Sequence, residues 1–334
     1  MTKTKLNKIS DLAELAGVST ATASRALAGS SLVNKKTRER IIELANEYDF
    51  KPNELARNLR LKRTLSIGVV LPLGHEIGQN FSDPFFITML GHLADGLTAR
   101  GYDLVLSRVL PTNTNWLDRI ISSGRIDGIV IIGQSDQSEV IERVGRTYAP
   151  MVVWGTDVPG KSYCSVGSDN RKGGKMAAQY LIEKGRKNLI FLGNIHAPEF
   201  AERQQGFAEA CREAGIDQAR TLDVHLTPEA AYSALVTHFG EGDLPDGIVA
   251  ASDIIAMSAI RALTERQLNV PEDVSVIGYD DVPLAQHTAP ALTTIRQDLL
   301  KGAELLIDLL FKRLAGEKTG SVVIEPELIQ RGSA

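Results

Sequence analysis

The sequence predicts an α/β protein with a three-helix helix-turn-helix head and a hinge helix, followed by two tandem doubly wound parallel-sheet subdomains. Three observations predict this class. Two short amphipathic helices meet at Gly17, short apolar runs alternate with helical segments from Leu65 onward, and basic residues concentrate in the first 64 positions. At 334 residues the chain is too long for one ordinary core, which fits a small head and two α/β units.

The first two helices form a predicted αα-hairpin. Leu12, Leu15 and Ala16 recur at helical spacing. Gly17 can adopt the positive φ that ends the first helix, and Ser19 can cap the second. A helix-turn-helix has these parts in this order, although an ordinary helical hairpin has them too. The second helix is then predicted to expose a face made of Thr20, Ala21, Ser24 and Arg25.

The charge distribution favours DNA binding over an ordinary hairpin. Residues 1–64 carry thirteen Lys and Arg against seven Asp and Glu, a net charge of +6, whereas the remainder carries −10. The overall charge of −4 therefore combines a basic head with an acidic body. A localised basic surface is typical of phosphate binding. Within it, Arg25 could read the O6 and N7 atoms of guanine through its paired donors.

A third helix and a hinge complete the predicted head. Asn34 can cap the third helix, whose apolar stripe consists of Ile41, Ile42, Leu44, Ala45 and Tyr48. Pro52 then ends the preceding helical segment, and residues 53–60 could form one or two helical turns. This segment carries Arg57 and Leu59, which suits an element that orders on DNA and pushes a leucine between base steps. The alternative is a plain interdomain linker.

The body is predicted to contain two successive βαβ sets. The first has predicted strands at Leu65–Leu71, Asp103–Ser107, Gly128–Ile132 and Met151–Val153, with helices around Phe86–Arg100, Trp116–Ser122 and Ser138–Arg146. The second has strands at Asn188–Gly193, Thr221–Leu226, Gly247–Ala250 and Val274–Gly278, with helices near Gly173–Lys184, Phe200–Ala214, Pro228–Phe239 and Ile254–Arg266. A late helix, Asp298–Leu314, and a strand, Ser321–Ile324, add to these two sets. Ligands of such sheets bind at the carboxyl ends of the strands.

Several classes of protein are disfavoured. The charged amino terminus lacks a following apolar stretch and no segment is long and apolar enough for a membrane span, so we expect a cytoplasmic protein. Cys164 and Cys211 lie far apart, which fits a reducing compartment. The six histidines lack metal spacing, and GxSxG, HExxH, GxxxxGK[ST] and GxGxxG motifs are absent. We therefore expect no catalytic residues, no metal and no cofactor. The basic head also argues against a binding protein that does not contact DNA.

Five segments in order carry a family resemblance over nearly the whole chain. They span residues 11–25, 33–38, 51–59, 276–281 and 289–295. In these segments the chain resembles the lactose-repressor (LacI/GalR) family of bacterial transcription regulators. The resemblance implies a homodimer that reads a near-palindromic double-stranded DNA operator, with one head on each half-site.

The resemblance also assigns roles within the head. Thr20, Ala21 and Arg25 take the base-reading positions, and Leu59 takes that of the leucine that enters the minor groove. The phosphate-facing positions are Ser19, Thr22, Ser24 and Asn34. The family usually has a larger side chain where this chain has Ala21, which shifts base reading toward Thr20 and Arg25.

The body resembles periplasmic sugar-binding proteins, and this resemblance sets the expected boundaries. The helix-turn-helix head takes residues 1–51, and the hinge helix and linker take 52–63. The N-terminal effector-binding subdomain takes 64–162 and 296–320, and the C-terminal one takes 163–293 and 323–334. The chain is expected to cross between the two subdomains near Cys164, Thr294 and Val322.

The groove between the subdomains is the expected effector site. Asp280 and Arg203 match effector-contacting residues of the family. Asp83 could accept hydrogen bonds from hydroxyl groups, and Phe85 or Phe86 could stack on a sugar face. Further candidates are Asp169, Ser252 and Asp253. Structural roles stay open for these residues: a turn for Asp280, an ion pair with Glu199 or Glu202 for Arg203, core packing for Phe85 and Phe86, and a helix cap for Asp169.

The function that these expectations describe is a repressor of carbohydrate-utilisation genes. A mono- or disaccharide in the groove would change operator affinity through the dimer. The alternative effector is a purine or another metabolite acting as a corepressor. The sequence leaves the direction of the response open.

Overall fold

The computed structural model describes residues 6, 8–50, 63–73, 81–134, 136–216, 219–240 and 244–334. The chain divides into two compact units, residues 1–64 and 65–334, which are described separately below. Within the described ranges, none of the helices combines the length and the apolar content required to cross a bilayer.

The described residues of the first unit form three helices: α1 (Ile9–Leu15), α2 (Thr20–Leu27) and α3 (Lys35–Glu47). Gly17 has a φ of +61° between α1 and α2, a conformation that favours glycine because it lacks a Cβ. Ser19 Oγ accepts from the Thr22 N–H at 3.2 Å, and Asn34 Oδ1 accepts from the Thr37 N–H at 2.8 Å. The predicted turn and both predicted caps are therefore present.

The core of the head differs in part from the predicted apolar stripes. Its buried members are Leu12, Ala16, Ala26, Val33, Ile41, Ala45 and Phe50. Leu15 is 44% exposed and Ile42 is 42% exposed, so both were wrongly predicted as core residues. Small side chains account for the difference: Ala16, Ala26 and Ala45 let the three short helices approach closely, which leaves room for fewer large residues inside.

The first sheet of the larger unit has six parallel strands in the order β11-β5-β4-β3-β1-β2. Its strands are β1 (Ser66–Pro72), β2 (Asp103–Val109), β3 (Gly128–Ile132), β4 (Met151–Trp154), β5 (Cys164–Ser168) and β11 (Val322–Ile324). The strand order reverses between β1 and β3. In a doubly wound sheet this reversal opens a crevice at the carboxyl ends of the strands.

The second sheet repeats this arrangement, with the order β12-β10-β9-β8-β6-β7. Its strands are β6 (Leu189–Leu192), β7 (Arg220–Leu222), β8 (Gly247–Ala250), β9 (Ser275–Asp280), β10 (Thr293–Arg296) and β12 (Glu327–Ile329). All neighbours pair in parallel except β12, which runs antiparallel to β10. The order reverses here between β6 and β8.

Within the described ranges of the larger unit, eight helices cover the two sheets. They are α4 (Pro84–Thr98), α5 (Trp116–Ser122), α6 (Ser138–Gly145), α7 (Asn170–Glu183), α8 (Pro198–Glu213), α9 (Pro228–Gly240), α10 (Asp253–Glu265) and α11 (Leu299–Leu314). A short 3₁₀ helix, Pro283–His287, follows β9. Each sheet has its own apolar core, and the first sheet has a core on each face. The predicted class of two doubly wound α/β units is confirmed.

The chain crosses between the two sheets three times, slightly later than expected. Strand β5 pairs in the first sheet, so the first crossing follows Ser168 and not Cys164. Strand β10 belongs to the second sheet, so the second crossing follows Arg296. The third lies between β11 and β12. The expected boundaries at 163, 293 and 323 fall too early, because strands β5, β10 and β11 each belong to the sheet that the chain leaves only after them.

Candidate functional site

A cleft lies where the carboxyl ends of both sheets meet, and the space within it, including the part open to solvent, is about 670 Å³. Its described lining consists of Pro72, Leu73, Asp83, Phe85, Phe86, Ile132, Gly133, Trp154, Ala197, Glu199, Phe200, Arg203, Leu226, Ser252, Asp280 and Gln297. The lining thus includes five of the seven predicted effector residues, brought together from positions almost 200 residues apart in the chain.

Arg203 and Asp280 form the charged centre of the cleft. Arg203 Nη1 lies 3.7 Å from Asp280 Oδ1, and both side chains are buried. The guanidinium also donates from Nε to Asn170 Oδ1 at 2.8 Å and from Nη1 to the Ala251 carbonyl at 2.5 Å. Its Cζ lies 3.6 Å from the centroid of the Tyr279 ring. Arg203 is therefore fixed by four neighbours from three parts of the chain and does not pair with Glu199 or Glu202, the alternative that its own helix offered.

A turn with an unusual backbone aims Asp280 at the cleft. Asp280 and Asp281 have φ values of +114° and +56°, which side-chain-bearing residues rarely adopt. Asp281 stabilises this turn, because its carboxylate accepts hydrogen bonds from Arg296 Nε at 2.8 Å and from Arg331 Nη2 at 2.6 Å. Gln297 Nε2 donates to Asp280 Oδ1 at 2.6 Å on the cleft side.

Burial controls the acidity of Asp280. Desolvation raises the pKa of Asp280 to about 7, and the negative charge of Asp83 raises it as well. The positive charge of Arg203 and the hydrogen bond from Gln297 act in the opposite direction. The ionised form of Asp280 accepts hydrogen bonds through both oxygens when a ligand supplies donors. The geometry therefore suits Asp280 to bind hydroxyl groups.

Aromatic rings form the apolar wall of the cleft. The Phe85 ring lies 6.4 Å from that of Trp154 and 5.4 Å from that of Phe86, measured between centroids. Phe86 is buried in the core of the first sheet, which agrees with the structural alternative for this residue. Phe85 and Trp154 both line the cleft. Asp83 caps α4 by accepting from the Phe85 N–H at 2.9 Å, and it lines the cleft at the same time.

Two glutamates of α8 meet the strand ends of the first sheet. Glu199 Oε1 accepts from the Thr156 N–H at 3.3 Å, and Glu202 accepts from the Thr156 hydroxyl. Gln134 lies behind Thr156 and donates to its carbonyl oxygen at 2.8 Å. Glu199 lines the cleft, whereas the sequence pattern pointed to it only as a partner for Arg203. Its place after Pro198, in the first turn of a helix that follows a strand, was the available signal.

Two predicted effector residues lie outside the described lining of the cleft. Asp253 is fully buried, and its carboxylate accepts from the Thr294 hydroxyl at 2.6 Å and from the Val282 N–H at 2.9 Å. It therefore ties β10 to the turn that carries Asp280. Asp169 caps α7 by accepting from the Lys172 N–H at 2.9 Å, as its structural alternative predicted. Ser252 caps α10 and does line the cleft.

The head presents its predicted contact residues on the surface. Ser19, Thr20, Ala21, Arg25 and Asn34 are exposed, Thr22 and Ser24 are partly exposed, and Ala23 and Ala26 face the core. Base-edge and phosphate contacts need such an open polar face on the second helix. The predicted hinge residues Arg57 and Leu59 lie outside the described residues. In the part of the chain that is described, no group of three or more His, Cys, Asp or Glu side chains could hold a metal ion.

Comparisons with known proteins agree with this division into head and body. A family model described as bacterial regulatory proteins, lacI family, matches residues 8–53, and one described as a periplasmic binding protein-like domain matches residues 178–334. The HTH-type transcriptional repressor PurR of Haemophilus influenzae is 30% identical over 338 residues, which cover 97% of this chain and 98% of the relative.

Solved structures show the same fold over nearly the whole chain. The transcriptional regulator CelR in complex with cellobiose is 27% identical, with a TM-score of 0.72, over 98% of this chain and 99% of that chain. The lac repressor dimer bound to operator and the anti-inducer ONPF is 24% identical, with a TM-score of 0.85, over 98% of each chain. With an exposed polar helix in the head and a cleft between two parallel sheets, the chain belongs to the LacI family of DNA-binding transcriptional regulators.

Proposed function

We propose that the protein represses carbohydrate-utilisation genes and that a mono- or disaccharide in the cleft sets its affinity for the operator. One observation carries this proposal: the cleft combines hydrogen-bonding acids with an aromatic wall. Asp280 can accept from neighbouring hydroxyls, and Ser252 can donate and accept. Phe85 and Trp154 offer ring faces to the apolar side of a sugar. The similar regulator CelR, solved with cellobiose, supports a saccharide.

A purine is the alternative effector, because its flat base could also stack on the aromatic wall. The carboxylates favour the sugar. A sugar presents many hydroxyl donors on a compact ring, whereas a purine presents few donors along one edge. Asp83, Glu199 and Asp280 together offer more acceptor oxygens than such an edge can satisfy.

The operator is read by α2 in this proposal. Arg25 and Thr20 contact base edges, while Ser19, Thr22, Ser24 and Asn34 contact phosphates. Ala21 contributes little because its side chain ends at Cβ. Arg57 and Leu59 act in the hinge, with Leu59 inserted into the minor groove and Arg57 beside it.

The protein acts as a homodimer in this proposal, since a near-palindromic operator needs two heads. Exposed apolar side chains support a second copy of the chain as the partner of the body. Ile87 on α4 is 55% exposed, and Leu284 in the 3₁₀ helix is 49% exposed. Analytical ultracentrifugation should give a dimer mass, and Ile87→Lys should shift the protein toward the monomer. A wild-type monomer at micromolar concentration would contradict the dimer.

A thermal-shift screen followed by operator binding tests the proposal. Mono- and disaccharides are screened alongside guanine, hypoxanthine and adenine, because a ligand that binds only the folded state raises the melting temperature. We expect a saccharide to raise Tm and to change operator affinity by about 5–150-fold, which corresponds to about 1–3 kcal/mol of coupling. A purine that does both, while every saccharide does neither, would contradict the sugar assignment.

A further inference from the structure

Three helices begin at the cleft. The first residues of α4 and α8 and the N-cap of α10 belong to its lining: Asp83 and Phe85, then Ala197 and Glu199, then Ser252. Helix N-termini are the usual binding sites for phosphate, since their unpaired N–H groups and the helix dipole attract anions. Whether these three N-termini are open therefore bears on the chemical class of the effector.

The protein's own side chains cap two of these N-termini, and a carboxylate lies in the first turn of the third. Asp83 places its carboxylate on the first turn of α4 through the Phe85 N–H. Ser252 Oγ accepts from the Ile255 N–H at 3.4 Å at the start of α10, and the buried carboxylate of Asp253 follows directly. At α8, Ala197 provides no side-chain cap, and the carboxylate of Glu199 lies in the first turn.

The cation in the described lining is already engaged. Arg203 donates to Asn170 and to the Ala251 carbonyl, lies against Asp280, and is covered by the Tyr279 ring. Its side chain is only 5% exposed. A phosphate entering the cleft would thus meet three carboxylates, from Asp83, Glu199 and Asp280, and one guanidinium that is committed elsewhere.

We propose that the cleft selects an uncharged sugar and excludes the phosphorylated form of that sugar. Acidic side chains line the cleft and its described cation is already engaged, so the same groups that accept from hydroxyls repel the ester. This inference rests on the proposed sugar effector and adds its charge state. The effector is then the sugar as it exists before any phosphorylation step in its metabolism, and not the phosphorylated product.

Ionisation of two of these carboxyl groups is already disfavoured without a ligand. Burial raises the pKa of Glu199 and the charge of Glu202 adds to this, although backbone N–H groups of Glu199 and Thr156 and the charge of Arg203 oppose it. Burial likewise raises the pKa of Asp280, and the charge of Asp83 raises it further. A dianionic ligand would add to this repulsion in a region where water is excluded.

Matched pairs of sugars test this selectivity. The probes are glucose, fructose, ribose and cellobiose, each titrated beside its phosphate ester by calorimetry at constant ionic strength. We expect at least one parent sugar to bind about a hundredfold or more tightly than its ester, as like-charge contacts in interfaces imply. An ester that binds as tightly as its parent would overturn the charge selectivity and leave the sugar effector standing. If no member of any pair and no other saccharide binds, both proposals fail together.

A charge-neutral variant tests whether the carboxylates cause the exclusion. Glu199→Gln keeps the size of the side chain and removes its charge, so we expect the ratio of ester to parent dissociation constants to fall by about tenfold. Glu213→Gln is the matched control, since Glu213 lies on the same helix α8 but pairs with Lys175 outside the cleft. That ratio should not change in the control. An unchanged ratio in Glu199→Gln would overturn the electrostatic explanation.

Discussion

At the scale of single residues, the cleft shows which acids a sequence can assign to a ligand and which it cannot. Asp253 and Asp280 both follow buried strands, yet only Asp280 lines the cleft. The difference lies in partners that are distant in the chain. Thr294 and Val282 donate hydrogen bonds to Asp253, while a turn with positive φ directs Asp280 toward the cleft. Gln297 was missed for the same reason, because its bond to Asp280 spans two strands of the folded sheet.

The raised pKa of Asp280 predicts a trade of stability for function. The folded state binds this proton more tightly than the unfolded state, whose carboxyl keeps its ordinary pKa of 3.8, so stability falls as pH rises from about 4 to the folded value of about 7. Asp280→Asn removes that cost. We expect its Tm to exceed the wild type by roughly 3–8 °C at pH 8 and by roughly less than half of that at pH 5.

The same Asp280→Asn protein should lose most of its response to the effector, since a neutral amide accepts hydroxyl hydrogen bonds less strongly. Differential scanning calorimetry at both pH values and an operator-binding assay with sugar measure the two effects. Equal gains in Tm at pH 5 and pH 8 would show that ionisation is not the cause.

Arg25 predicts an effect confined to the head. Arg25→Ala should weaken binding to the operator by about 5–150-fold, because a bidentate contact to a base is worth about 1–3 kcal/mol, and it should leave binding to random DNA largely intact. Arg25→Lys keeps the positive charge but loses the paired donors of the guanidinium, so it should behave like the alanine variant if Arg25 reads a base. The Tm of the larger unit should not move, because Arg25 belongs to the other compact unit. Full operator discrimination in Arg25→Ala would contradict the assignment.

At the scale of elements, the helices and most strands follow from local patterns, whereas strands β5, β10 and β12 do not. Amphipathic spacing and caps are local, so α1 to α3 and most of the body helices were predictable. Strand β5 has the sequence Cys-Ser-Val-Gly-Ser and lacks the apolar run of a buried parallel strand. Strands β10 and β12 are four and three residues long and are defined by pairing with distant segments.

The close approach of α7 and α8 predicts an intolerant glycine. A Cβ on Gly206 would overlap the carbonyl oxygen of Arg171, and one on Gly174 would overlap that of Arg203. Gly206→Ala must therefore push the helices apart, and it would displace Arg203, which α8 carries into the cleft. We expect a loss of about 1–3 kcal/mol or more, or several degrees in Tm, together with weaker effector binding.

Gly91→Ala is the matched control for this helix pair. Gly91 is also inside a helix, α4, but its added Cβ would meet nothing within 4 Å. The substitution should stabilise the protein by about 0.5–1 kcal/mol through helix propensity alone. Chemical denaturation of both variants gives the comparison. A neutral Gly206→Ala would mean that α7 and α8 are not held at this spacing.

At the scale of the whole molecule, helix α2 and the cleft belong to different compact units, so regulation requires that ligand binding in one unit be coupled to DNA binding in the other. Thermodynamic linkage makes this coupling reciprocal. If the sugar changes operator affinity by a factor, the operator must change sugar affinity by the same factor. This holds for induction and for corepression alike, which makes it a test of the switch that does not depend on its direction.

The prediction compares two independent titrations. Calorimetry gives the dissociation constant of the sugar from free protein and from protein saturated with operator, and fluorescence anisotropy gives that of the operator with and without saturating sugar. We expect the two ratios to agree within error and to lie within about 5–150-fold. In Asp280→Asn both ratios should fall toward one together, because the ligand then loses its preference for one state. Ratios of one in the wild type would show that the cleft and the head are uncoupled, and the sugar would then be a ligand of the body without being the effector.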